Sequence, residues 1–399
     1  MVATPLIYDP YDYVIDANPH PIWKRLRDEA PVYYNEQHNF YALSRFDDVL
    51  AAHLDPVTFS SSHTTVLEIM QPEADPFMQQ MMIFMDPPQH THYRKLVSRV
   101  FTPRHVSALE PRIRALASRF LDEFDGPFDY VANFGARLPV MVISALLGAP
   151  EEDEDQLREW TDATLHLEEG SFHQGSHAEG LMRAIREYWQ GHIDARRKAP
   201  TDDILSELMT AELEIGDGNH RFLTDDELHG FMGLLSGAGN ETVARFLGWS
   251  AIGLAQFPDE RAKLVADPAR IPNAMEEILR WEAPSPIQGR WTMRDVELHD
   301  TVIPANSKVA LLTGAANRDE RQFPDPDRID VERVISRHVA FGYGIHFCLG
   351  AALARLEGRI ALEETFKRFP AWDVDYDNCE MVHTSTVRGY AKVPIIPSR

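Results

Sequence analysis

Phe341-Gly342-Tyr343-Gly344-Ile345-His346-Phe347-Cys348-Leu349-Gly350 is the stretch that decides how this chain is read. Its glycines predict a tight loop whose backbone larger residues could not follow. A helical stretch from Gly350 to Phe369 starts directly behind it. Such a helix aims the positive end of its dipole, and several unpaired backbone N–H groups, at the Cys348 sulfur. That setting favours thiolate over thiol. A thiolate held in a rigid loop is either a nucleophile or a metal ligand.

A cysteine nucleophile needs a general base within hydrogen-bond reach. His346 lies two residues away, but no third group to orient it is visible. Zinc or iron–sulfur sites need three or four ligands, and no C-x-x-C pair exists. Cys379 and His383, four apart, supply two ligands and read as incidental. Haem iron takes a single axial cysteine, and that chemistry fits.

The bulk properties narrow the setting. The 399 residues carry a formal charge of -23, which excludes a general nucleic-acid or anionic-membrane surface. Two cysteines cannot form a disulfide framework, so a reducing cytoplasm is the expectation. Met1 to Asp16 has no basic or apolar run of a signal peptide, and no stretch approaches about 20 apolar residues, so no membrane span is expected.

Helices and strands are segregated along the chain, which predicts a mainly α protein with small β-sheets (α+β) and not a doubly wound fold. Residues 30–46 hold short β-like runs. Residues 86–285 read as helical, with Asp86-Pro87-Pro88 as an N-cap and first turn. Thr224 to Glu227 resembles a capping box opening a long apolar helix near 225–256. A small sheet is expected over 285–315, irregular chain over 316–340, and strands over 371–397.

Three further constellations join the cysteine loop. Ser236-Gly237-Ala238-Gly239-Asn240-Glu241-Thr242 puts two glycines inside a helix, at a cost of roughly 1 kcal/mol each. Small residues there admit a flat cofactor, or else a close helix–helix contact. Glu277-Ile278-Leu279-Arg280 places an acid and a base on one helical face. His90 and Arg94 also share a face, suited to an anionic partner.

The cysteine loop resembles the haem-binding signature of the cytochrome P-450 family, Phe-x-x-Gly-x-x-x-Cys-x-Gly, with Phe341, Gly344, Cys348 and Gly350 in the defining positions. The resemblance runs from about residue 86 to 350 and is nearest to soluble bacterial members. It implies one domain over residues 1–399, without a fused reductase, holding haem b (iron protoporphyrin IX). The cofactor lies between the long helix and the Cys-ligand loop. Cys348 is then the axial ligand of the haem iron. Phe341, Gly342 and Gly350 shape the loop, Ala238 and Gly239 border the cofactor, and His90, Arg94, Arg290 and His346 bind propionates. Thr242 donates a hydrogen bond to dioxygen and Glu241 relays protons. Here Glu241 stands where many members have Asp, and Val243 where a second Thr is frequent; the acid–alcohol pair persists. Glu277 and Arg280 pair with Arg333, or its rival Arg328, to brace the loop, while Glu276 offers a competing pair with Arg280.

The implied activity inserts one oxygen atom of O2 into an apolar small molecule, the other leaving as water. Electrons come from NAD(P)H through a ferredoxin and its reductase, docking near Lys95, Arg99, Arg104, Arg355 and Arg359. A monomer, with no nucleic acid and no membrane, is expected. Segments 62–84, 285–289 and 384–387 line the pocket, with Val66, Leu67, Ile69, Met82, Leu235, Ala238, Ile287, Thr384 and Val387 as candidate contacts; Ser285, Gln288 and Thr384 either orient a polar group or form turns. The alternatives are a peroxide-driven haem enzyme of the same fold, a haem-binding sensor, and a non-haem cysteine hydrolase.

Overall fold

The computed structural model describes residues 5–74, 78–99, 101–165, 177–384 and 386–398. It is mainly helical, with small sheets at the periphery, as the segregated pattern predicts.

The long helix spans Asp225–Gln256. Its capping box forms as read: the Thr224 hydroxyl accepts from Glu227 N, and the Glu227 carboxylate accepts from Thr224 N at 2.7 Å. Most of its residues are buried, so it runs through the core and shows no single apolar stripe. Helix Arg137–Leu147 crosses it at Gly239. A Cβ on Gly239 would stand 3.0 Å from Ile143, so this glycine serves the helix–helix contact that the sequence left open.

Helix Gln89–Val97 starts later than expected. Asp86 is not its cap: its carboxylate accepts from Ser60 Oγ and from Ser61 N at 3.0 Å, and Pro88 fills the N-cap position without a side-chain bond. Tyr93 fastens this helix to the long one by donating to the Glu227 carboxylate, which also receives Arg221 at 2.6 and 2.7 Å.

The main sheet orders its strands Val32–Asn35, Phe40–Leu43, Lys308–Leu312, Ile287–Thr292 and Phe59–Ser60. The Phe40–Leu43 and Lys308–Leu312 pair is parallel and the other pairs are antiparallel. Strands from the expected runs near residues 30–46 and 285–315 therefore join in one sheet, while Val296–Leu298 and Thr301–Ile303 pair as a separate hairpin. Hairpin Glu380–His383 with Arg388–Lys392 covers one side of the long helix. Among the described residues no helix is long and apolar enough to cross a membrane.

Candidate active site: a cysteine loop facing a buried basic cluster

The loop is built as its glycines require. Gly342 and Gly344 have φ of +66° and +68°, a region where a Cβ is strained. Gly344 is also needed for space, because a Cβ there would lie 2.5 Å from the carbonyl oxygen of His53. Cys348 N donates to Phe341 O at 2.9 Å, closing the loop on itself. Helix Ala351–Arg368 follows, with Gly350 as N-cap. The guanidinium of Arg355 lies 4.5 Å from the Phe341 ring centroid.

The thiol does not behave as the dipole argument predicts. Burial pushes it above the ordinary thiol value, and the N–H groups of Gly350 and Ala351 with the charges of Arg94 and Arg355 only partly oppose this. Desolvation outweighs the helix end. A coordinated metal ion deprotonates such a thiol outright.

The brace behind the loop is complete. Glu277 takes two bonds from Arg280, at 2.7 and 2.8 Å, and two from Arg333, at 3.0 and 3.1 Å. Asp330 N adds another at 3.0 Å. Arg333 therefore fills the third place; Arg328 turns outward to Asp259 and Glu260. Arg280 also binds Asn317 O at 3.0 Å, and Asn317 Oδ1 accepts from Val339 N at 2.8 Å, which carries the brace to the foot of the loop. Asn317 is absent from the sequence reading because no spacing marks it. The competing pair does not form, since Glu276 binds Arg355 at 2.7 and 2.9 Å and His338 at 2.9 Å.

In front of the loop the structure gathers His90, Arg94, Arg290 and His346, with His53 as an unforeseen fifth member. The His90 and His346 rings are 4.3 Å apart between centroids. Burial, then the positive neighbours, depress the imidazoles: His53 to about 3 beside Arg290, His90 to about 4 beside Arg94, and His346 to about 2 beside Arg290, His90, Arg94 and His53. Burial also lowers Arg290, to about 10. Both ring nitrogens of His53 and of His90, and Nε2 of His346, are buried without a hydrogen-bond partner. Arg290 spends one bond on Gly289 O, at 2.6 Å. The Asp86 carboxylate touches this group only through its field, being bound to Ser60 and Ser61.

Buried polar atoms that the protein leaves unpaired belong to a ligand. Basic groups converging beside a one-cysteine loop fit an anionic cofactor, such as the two carboxylates of a haem. Among the described residues no group of three or more His, Cys, Asp or Glu could hold a metal ion by itself.

On the long helix, Ala238 is exposed, and a Cβ on Gly237 would meet nothing within 4 Å, so this face borders open space. Thr242 Oγ1 donates to Ala238 O at 3.2 Å. The hydroxyl is half-buried on this face and can rotate its proton between Ala238 O and a group in the open space. Glu241 and Arg245 are both buried and 3.5 Å apart, with Arg245 held by Tyr390 O at 2.7 Å.

The candidate pocket residues divide. Leu67 packs in a core with Tyr8, Trp23 and Phe40, with Ile287 against it, while Met82 and Leu235 share another with Tyr93 and Phe231. Val387 is buried. The Thr384 hydroxyl bonds Val387 N and O, so it forms a turn. Ser285 donates to Thr386 O at 2.8 Å and Gln288 donates one amide N–H to Ser285 at 2.7 Å. Val66, Ile69, Ala238 and Ile287 stay partly exposed. Residues 75–77 and 385 of the candidate segments lie outside the described residues. Of the candidate docking cations, Lys95, Arg355 and Arg359 pair with Glu214, Glu276 and Glu110, whereas Arg99 and Arg104 are exposed.

The fold and the site define a haem-thiolate protein. A model of the cytochrome P450 family matches residues 271–386. The chain is 40% identical to a putative cytochrome P450 123 of Mycobacterium tuberculosis over 393 residues, 98% of this chain and 96% of that one. It is 38% identical to the vitamin D(3) 25-hydroxylase of Pseudonocardia autotrophica, over 95% of this chain and 93% of the relative. The solved structure of cytochrome P450 CYP109Q5 from Chondromyces apiculatus matches with a TM-score of 0.87 and 32% identity, covering 98% of both chains. The chain belongs to the cytochrome P450 family and is a haem-thiolate monooxygenase.

Proposed function

We propose that Cys348 is the axial ligand of a haem b whose propionates are held by His90, Arg94, Arg290 and His346. The observation that carries this reading is the buried basic cluster with unpaired ring nitrogens beside the cysteine loop. When bound, the haem supplies the oxygen-activating chemistry, and electron donation from the thiolate favours O–O cleavage. The chain's residues supply position and proton control. Ala238 and Gly237 keep one face of the long helix open above the cofactor. Thr242, whose hydroxyl can turn its proton away from Ala238 O, donates a hydrogen bond into the space above. Glu241 exchanges protons on leaving Arg245. The brace from Glu277 through Asn317 to Val339 keeps the sulfur in place.

The substrate is an apolar small molecule that meets Val66, Ile69, Ala238 and Ile287. Names of similar proteins point the same way: one is a vitamin D(3) 25-hydroxylase, and solved relatives hold erythromycin B or testosterone. Electrons come from NAD(P)H through a ferredoxin and its reductase. Arg99 and Arg104, exposed near the cysteine side, are the cations for that docking. The described chain works as one cytoplasmic, monomeric domain. A hydroxylating reading is favoured over a peroxide-driven one by the Glu241–Thr242 pair.

Thr242→Ala tests the proton assignment. With a ligand chosen for its low-spin to high-spin shift, the variant should consume electrons at a similar rate but release them mainly as peroxide or water. Product per electron unchanged from the parent would remove Thr242 from proton control.

A further inference from the structure

Helix Phe46–Leu54 carries none of the family's motifs, yet its last turn reaches the cofactor site. His53 is 5% exposed and neither of its ring nitrogens has a hydrogen-bond partner. An imidazole carries at least one N–H, and an unpaired buried donor is costly. The ring does not serve the loop by bonding it: Cε1 lies 3.8 Å from where a Cβ on Gly342 would stand, a van der Waals contact. The charges acting on His53 come from Arg290, and His53 in turn acts on His346. A Cβ on Gly342 would stand 3.8 Å from both His53 Cε1 and His346 O, so His53 lies against the loop that carries one of the groups assigned to the propionates.

We propose that His53 donates a hydrogen bond to a haem propionate, which makes the propionate site a five-residue cradle of three imidazoles and two guanidiniums drawn from four separate segments. This rests on the haem reading above. Gly344 acquires a second purpose, because a Cβ there would lie 2.5 Å from His53 O and hold the loop off the His53 turn. Helix Phe46–Leu54, which shares a core with residues of the main sheet, is thereby tied directly to the cofactor. Haem retention then depends on a segment far in sequence from every other haem contact except His90 and Arg94.

The test uses purified holoprotein and the variants His53→Phe, His53→Leu and His53→Gln. The readouts are the propionate bending bands in the resonance Raman spectrum and the rate of haem transfer to excess apomyoglobin. Phe and Leu remove the donor with different volumes, so a packing defect in one is distinguished by the other. Both should shift a propionate band and speed haem transfer about tenfold, the weight of one hydrogen bond to a charged group. Gln, which keeps an N–H, should restore most of each. Propionate bands unchanged in Phe and Leu variants that still hold haem would overturn the role of His53 and leave the haem reading intact. Parent protein purified without haem would overturn both.

Discussion

The cluster around Glu277 and the cluster around Arg290 are both buried, both charged and both tied to the Cys348 loop, yet one is closed and the other open. Glu277 receives five hydrogen bonds from Arg280, Arg333 and Asp330 N, and Arg280 distributes its remaining donors over carbonyls. Around Arg290 the imidazoles of His53, His90 and His346 keep buried nitrogens with no partner. A closed ionic cluster needs nothing from outside and acts as a brace. An open one, made of a single sign of charge, calls for an anion. The difference separates structural from ligand-binding charge without recourse to motif names.

Breaking the closed cluster should have the largest effect. Glu277→Ala leaves two guanidiniums buried without their carboxylate, a loss of about 3–5 kcal/mol. Denaturant midpoint and haem content of the purified variant should both fall sharply. A normal midpoint would mean that the brace carries no load.

The open cluster should show itself through pH. His53 and His90 lie at about 3 and about 4 in the folded chain, below the ordinary 6.5. The unfolded chain therefore binds more protons in that window, and stability rises with pH. Stability of the haem-free protein should be intact above about 6.5 and decline as pH falls toward 4. Haem, by placing carboxylates beside these rings, should flatten that decline. Denaturant titrations of the two forms between those limits provide the check, and parallel curves would deny the cluster an anion.

The smallest effect should come from Arg328→Ala. Arg328 turns outward to exposed Asp259 and to buried Glu260, which keeps Lys263 and Val331 N as partners, so midpoint and haem content should match the parent within error. A loss approaching that of Glu277→Ala would move Arg328 into the brace.

Much of this was legible in the sequence because the informative spacings are short. The cysteine loop, the Glu277–Arg280 pair, the His90–Arg94 pair and the Thr224 capping box each lie within a few residues, where helix and loop geometry determine who meets whom. His53 and Asn317 were not legible. Each is a lone polar residue whose partner lies beyond any helical or strand period, 22 and 37 residues away for Asn317 and in a cofactor for His53. Cys348 taught a different limit: the helix end was seen correctly, but the desolvation that outweighs it is a property of the packed fold.

The central claim is that Cys348 binds haem iron as a thiolate. The most direct test is the absorption spectrum of the reduced holoprotein under carbon monoxide, compared with that of Cys348→Ser. The account predicts the long-wavelength Soret band of thiolate ligation in the parent and its loss in the variant, even where haem stays bound. A parent whose carbon monoxide complex lacks that band, or a serine variant that keeps it, would contradict the account.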